Sequence, residues 1–141
     1  NAILGGGSNS KLFQNVREKA SLAYTAGSTY LKKKNNIFIR CGIEISNYNK
    51  AVDIIKKQLK DLEKGEFTEE DIDNAKRIVM SNIRNIEEEQ DLQITYYYGQ
   101  DFSEEKMSIK EYENRVENVN KEEIIDIAKE VKVNTIYFLK D

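Results

Sequence analysis

Apolar residues recur every three to four positions through most of this chain, and every second position in two short stretches near its start and one at its end. That pattern predicts a helix-rich protein with a small sheet. Leu12, Phe13, Val16 and Ala20 fall at helical spacing, so Ser10 to Lys19 is expected to be an amphipathic helix with Arg17 beside its apolar stripe. Ser8, Asn9 or Ser10 can cap it, because each offers a side-chain oxygen to unpaired N–H groups. Asn1 to Leu4 reads as the last turn of a preceding helix, ended by the glycines Gly5, Gly6 and Gly7.

From Leu22 the period changes to two, and Leu22–Leu31 is expected to be a strand from which Tyr24 projects. In the next stretch Ile37, Ile39, Cys41, Ile43 and Ile45 occupy one face, with Phe38, Arg40, Gly42 and Glu44 on the other. The polar link KKKNN contains Asn35 and Asn36, which adopt turn angles readily, so the two strands are expected to form an antiparallel hairpin. Ser46 or Asn47 then starts a helix whose stripe is Ala51, Ile54, Ile55, Gln58, Leu59 and Leu62, with Gly65 as its stop. Thr68 with Asp71 resembles a capping box for a long helix carrying Ile72, Ala75, Val79, Ile83 and Ile86 toward Gly99. Ser108 with Glu111 and Asn120 with Glu123 open two shorter helices, the second carrying Ile124, Ile127, Ala128 and Val131. Val133–Leu139 reads as a closing strand that joins the hairpin's sheet. The fold class that follows is α+β, an antiparallel sheet with helices packed on one face.

The 141 residues are 39% hydrophobic, enough for one domain with a proper core, and 1–141 is read as a single domain. The 22 basic and 25 acidic residues leave a formal charge of -3, and neither sign forms a long block, so no nucleic-acid partner is expected. Lys32, Lys33 and Lys34 read as a solvated loop. No stretch is long and apolar enough to span a bilayer, so no membrane partner is expected either. Cys41 is the only cysteine, which excludes an internal disulfide and fits a reducing, cytoplasmic setting. The start at Asn1, without methionine and inside a helix, reads as a fragment of a longer polypeptide.

The chain contains no histidine. Hydrolysis by a serine or cysteine paired with histidine is therefore excluded within it, as is a zinc site built on imidazoles. Three weaker motifs fail on context. GGGSNSK lacks the glycine immediately before, and the serine or threonine after, the lysine of a phosphate loop. Ser8 and Lys11 form an S-x-x-K without its companion motifs. The carboxylates of Glu69 to Asp73 lack a calcium loop's spacing and read as a charged first helical turn. Tyr30 and the cluster Tyr96, Tyr97 and Tyr98 are accounted for by packing, with substrate contact by the cluster as the alternative.

The stretch GGGSNSKLFQNVREKASLAY resembles the matching segment in the C-terminal, non-zinc domain of the M16 (pitrilysin/insulinase-like) metallopeptidases, and the likeness extends through the hairpin and helices to NTIYFLKD. The family carries an arginine and, seven residues later, a tyrosine facing the peptidase chamber; Arg17 and Tyr24 stand at that separation. The resemblance implies an M16-like layered domain whose other strands precede Asn1. It also implies that Arg17 and Tyr24 are the catalytic-site residues of this lobe. An arginine fork can hold a peptide carbonyl or carboxylate, and a phenol can donate to oxygen charge developing on a scissile carbonyl.

No cofactor is expected on this chain, which is not catalytic alone. The resemblance implies a zinc-bearing M16 domain, in the same polypeptide or a partner subunit, with its H-x-x-E-H helix, and a peptide substrate. The resulting expectation is a substrate-binding, zinc-free domain of an M16-type metalloendopeptidase. The alternative is a non-catalytic M16-like scaffold subunit.

Overall fold

Burial follows the helical stripes. In the computed structural model, which describes residues 1–102 and 106–140, Leu12 and Val16 are completely excluded from solvent and Leu4 nearly so. They form one core with Ile3, Leu22, Leu62, Phe67 and Ile72, against which Ile37, Ile39, Cys41, Ile54, Ile55, Leu59, Ile124 and Ile125 pack. This core lies within the first of two compact units, Asn1–Ala75 with Asn120–Asp141; the second unit is Lys76–Val119.

In the first unit, α1 (Ala2–Gly5) is a single turn. Its Gly5 comes so close to the next strand that a Cβ there would lie 2.4 Å from the Ser28 nitrogen and 2.9 Å from the Gly27 carbonyl carbon, a distance only glycine permits. Ser10 begins the next helix: its Oγ accepts from the Phe13 N–H at 3.4 Å and its C=O from the Gln14 N–H at 3.0 Å. That helix widens to a π-helix over Phe13–Lys19.

The hairpin forms as the alternation requires. Strand β1 (Ala23–Leu31) pairs antiparallel with β2 (Asn36–Ile43), with Ala26 opposite Cys41, Gly27 opposite Arg40 and Thr29 opposite Phe38. Lys32–Lys34 make one 3₁₀ turn, closed by Asn35 in the left-handed region at φ 47°, and the Tyr30 hydroxyl donates to Asn35 Oδ1 at 3.0 Å. Ile37, Ile39 and Cys41 turn to the core, while Phe38, Arg40 and Gly42 are exposed. Ile45 does not continue the strand: it starts a 3₁₀ turn, Ile45–Asn47, and is exposed.

Helix α2 (Tyr48–Glu63) buries Ala51, Gln58 and Leu62. It ends in a Schellman arrangement, with Glu66 N–H donating to Asp61 C=O at 2.8 Å, Gly65 N–H to Leu62 C=O at 3.1 Å, and Gly65 at φ +73°. Helix α3 (Glu69–Glu88) opens on the Thr68–Asp71 box: Asp71 Oδ2 accepts from the Thr68 N–H at 2.8 Å, and Thr68 Oγ1 from the Asp71 N–H at 3.1 Å. The expected long helix is broken at Glu89, whose backbone is extended, and α4 (Gln90–Gln100) follows. Glu87, Glu88 and Glu89 place three carboxylates at the negative end of the α3 dipole, where the next residue gains little by remaining helical. Gly99 is the next-to-last residue of α4.

In the second unit, buried Gln100 clasps the Met107 backbone with both halves of its amide, and Ile83 and Ile109 are buried. Helices α5 (Ile109–Asn118) and α6 (Lys121–Glu130) each begin with a complete capping box, at Ser108–Glu111 and Asn120–Glu123. On α6, which belongs to the first unit, Ile125 takes the core position expected for Ile127, and Ile127 is 69% exposed.

The closing strand does not form. Val133–Leu139 has strand-like composition, but among the described residues β1 and β2 pair only with each other, and composition alone makes no ladder. The Phe138 ring instead packs 4.4 Å from that of Tyr48.

One polar contact ties the start of the Arg17-bearing helix to α3. Lys11 Nζ sits 2.6 Å from Asp71 Oδ2, with both side chains largely shielded. Burial alone would raise the Asp71 carboxyl, but hydrogen bonds from Lys11 and Thr68 outweigh it and hold the group below its ordinary 3.8. A carboxyl lowered in the folded state adds stability that is complete above its unfolded pKa and is lost as pH falls through the folded value. Asp71→Ala is therefore expected to destabilise the domain by about 1–2 kcal/mol at pH 7. The gap to wild type in thermal midpoint should shrink as the pH is taken below 3.8; a gap that stays constant would refute this.

Candidate functional site at the helix-to-strand corner

Arg17 lies on the last turn of the π-helix, exposed, with its guanidinium carbon 4.5 Å from the centre of the Phe13 ring. The aromatic face steadies the cation through its quadrupole and leaves the donors at the guanidinium edge available. Among the described residues Arg17 makes no ion pair. Leu12 and Val16, four residues apart on one helix face, are both buried while Arg17 faces water.

Tyr24 is the unpaired residue of a β-bulge. Ala23 sits opposite Ile43 and Thr25 opposite Gly42, so Tyr24 has no partner across the ladder. Bulges re-aim side chains, and this one leaves Tyr24 86% exposed, the most exposed of the large apolar and aromatic residues. No hydrogen bond joins Tyr24 to Arg17. Arg17 and Tyr24 lie on consecutive elements, the π-helix and β1, and among the described residues neither is linked to the other or to a carboxylate.

Between them Ser21 holds φ 51°, a left-handed angle that costs a non-glycine residue about 1–3 kcal/mol. A π-helix, a left-handed serine and a bulge thus follow one another between Phe13 and Thr25. Fixed contacts hold this run in place. Asn15 Nδ2 donates to the Lys11 C=O at 2.9 Å and to buried Gln58 Oε1 on α2 at 2.7 Å. The Leu22 N–H donates to the Val16 C=O at 3.1 Å, closing the end of the π-helix.

The chain's donors do not suit a zinc ion of the H-x-x-E-H type, because the sequence has no histidine. Among the described residues no three Cys, Asp or Glu side chains converge as metal ligands. Likewise, among them no helix is long and apolar enough to cross a membrane. The other aromatics divide. Tyr96 is taken up in packing, its hydroxyl donating to the Met107 C=O at 3.1 Å and its ring stacked on Tyr112 at 6.4 Å, whereas Tyr97 and Tyr98 are exposed.

A two-stranded hairpin with helices packed against it defines an α+β domain. Residues 1–79, which include the whole corner and hairpin, match the family described as the peptidase M16 inactive domain. The chain belongs to that family. The probable inactive metalloprotease YmfF of Bacillus subtilis (strain 168) is 36% identical over 140 residues, which are 99% of this chain and 33% of that protein. A conserved protein from Enterococcus faecalis V583 superposes with a TM-score of 0.86 at 28% identity, covering 92% of this chain and 31% of its own. A protease from Helicobacter pylori shares the fold, with a TM-score of 0.75 at 21% identity over 91% of this chain and 32% of its own. The chain thus spans about a third of the length of each.

Proposed function

We propose that this domain is the peptide-holding, zinc-free lobe of an M16-type peptidase, its zinc-bearing counterpart lying in another domain or a partner subunit. One observation carries the reading: Arg17 and Tyr24 stand exposed and unbonded at a corner built from three consecutive backbone irregularities. Buried contacts stabilise a fold, but an exposed phenol and a guanidinium whose edge donors are left over do not, so their placement suits an external ligand. The guanidinium offers a planar fork to a carbonyl or carboxylate oxygen, and the phenol one directional donor.

The test is peptide turnover by the full-length protein together with its zinc-bearing domain, comparing wild type with Arg17→Ala and Tyr24→Phe. Turnover lowered at least about tenfold, with zinc content and stability unchanged, supports the reading; unchanged turnover refutes it.

A second reading is a non-catalytic M16-like scaffold, favoured by the name of the Bacillus subtilis relative, a probable inactive metalloprotease. Peptide binding that depends on Arg17, with no turnover alongside any zinc-bearing domain, would select it.

A further inference from the structure

The 25 positions from Lys19 to Ile43 carry five cations, Lys19, Lys32, Lys33, Lys34 and Arg40, and no aspartate or glutamate, in a chain whose formal charge is -3. Carboxylates resume only at the flanks, with Glu18 and Glu44. These positions make up the hairpin together with its approach from the π-helix. We propose that the face of this hairpin that carries Phe38 and Arg40 selects an acidic extended peptide, with Arg40 as the specificity-determining residue; this rests on the peptide-holding reading above.

The register places Arg40 on that face. Ile39 and Cys41, its neighbours along β2, turn to the core, so Arg40 points the opposite way with Phe38 and Gly42. Directly across the ladder is Gly27, which has no side chain to cover the guanidinium stem; the Gly5 C=O of α1 lies 3.2 Å from where a Gly27 Cβ would be. Thr25 and Thr29 flank it diagonally and are both exposed. Arg40 is itself exposed and makes no ion pair among the described residues. No carboxylate on either strand competes for it.

Geometry gives the spacing. Gly27, opposite Arg40, lies three residues beyond Tyr24, roughly 10 Å along the strand and about three residues of extended peptide. A peptide held at the corner and laid along the face would thus bring a glutamate or aspartate about three positions away under the Arg40 fork, where two parallel N–H···O bonds can form. The face also offers Phe38, 54% exposed, as an apolar surface beside the cation. Charge complementarity names the occupant: Arg40 is the cation that the register places on this face, without an ion pair among the described residues and with no carboxylate on either strand, and such a guanidinium attracts carboxylates and repels basic segments.

The experiment measures binding of two fluorescein-labelled extended peptides to the full-length protein, one Glu-rich and one with every Glu replaced by Gln. The Glu peptide is expected to bind about tenfold tighter, with the difference narrowing as salt is raised. Arg40→Gln should abolish the difference without changing affinity for the Gln peptide, and Arg40→Lys, which keeps the charge, should largely retain it. Equal binding of both peptides, each weakened by Arg17→Ala, would overturn this inference and leave the peptide-holding reading intact. A Glu preference that survives Arg40→Gln would also overturn it. Failure of both peptides to bind would overturn the inference and the reading beneath it together.

Discussion

Replacing Leu12 with alanine is expected to remove about 3–5 kcal/mol of stability, a large share of the roughly 5–15 kcal/mol that holds a typical domain folded. Leu12 is completely buried, one turn before Val16, in the cluster that joins α1, the π-helix, α2 and the start of α3. Losing its isobutyl group forfeits the transfer free energy of the buried carbons and leaves a cavity. The surrounding walls are poorly placed to collapse, because Gly5 is already in contact with the β1 backbone and Gln58 is tied to Asn15. The measurement is urea unfolding of the full-length protein, read domain-specifically by the rate at which Cys41 is alkylated. That thiol is half-buried against the core, and burial raises its pKa, so it reacts slowly until the core opens. The transition should move to clearly lower urea with an unchanged slope. Leu139→Ala, at a 76% exposed position, should move it little; equal shifts in the two variants would show that the core has been misplaced.

The parts of this fold that could be read from the chain are those where one local rule acts without competition. Strict alternation from Ile37 to Ile43 gave the buried face of β2, and the capping boxes at Thr68, Ser108 and Asn120 marked three helix starts. Asn35 supplied the left-handed turn, and Gly65 the helix stop. The misplaced elements are those decided by partners or charge. Val133–Leu139 has a strand's composition but no ladder, the α3–α4 break turns on three glutamates at a helix end, and Ile125 displaces Ile127 through packing against Gly65.

The placement of Arg17 on a helix and of Tyr24 on the following strand was legible, but the irregular backbone between them was not. A π-helix and a bulge each arise from one extra residue, which a period of three to four or of two absorbs without visible change. One signal was available. Gln58 stands in an otherwise apolar stripe, and a buried amide requires a partner, which proves to be Asn15 on the helix that carries Arg17.

On the peptide-holding reading proposed above, Tyr24→Phe carries the largest functional prediction: a fall in kcat of about 100- to 1,000-fold for the full-length protein assayed with the proposed zinc-bearing domain, with KM little changed. The reasoning starts from exposure. At 86% exposed and without a hydrogen-bond partner in the fold, the phenol contributes almost nothing to stability, so deleting its oxygen should leave the thermal midpoint where it was. Its one chemical asset is a hydroxyl donor on a side chain that the bulge leaves facing outward. A donor aimed at an oxygen that gains negative charge during reaction strengthens in the transition state more than in the bound substrate, so its loss appears in kcat. Arg17 should behave differently. A guanidinium that forks onto a carbonyl or carboxylate holds substrate and transition state alike, so Arg17→Ala should mainly raise KM, and Arg17→Lys should not restore it because a single ammonium cannot reproduce the fork. The split between the two variants distinguishes positioning from bulk electrostatics: if both raise KM equally and Tyr24→Phe leaves kcat within about twofold, the phenol is no transition-state donor. The corner would then be a docking point for peptide, with the chemistry wholly elsewhere.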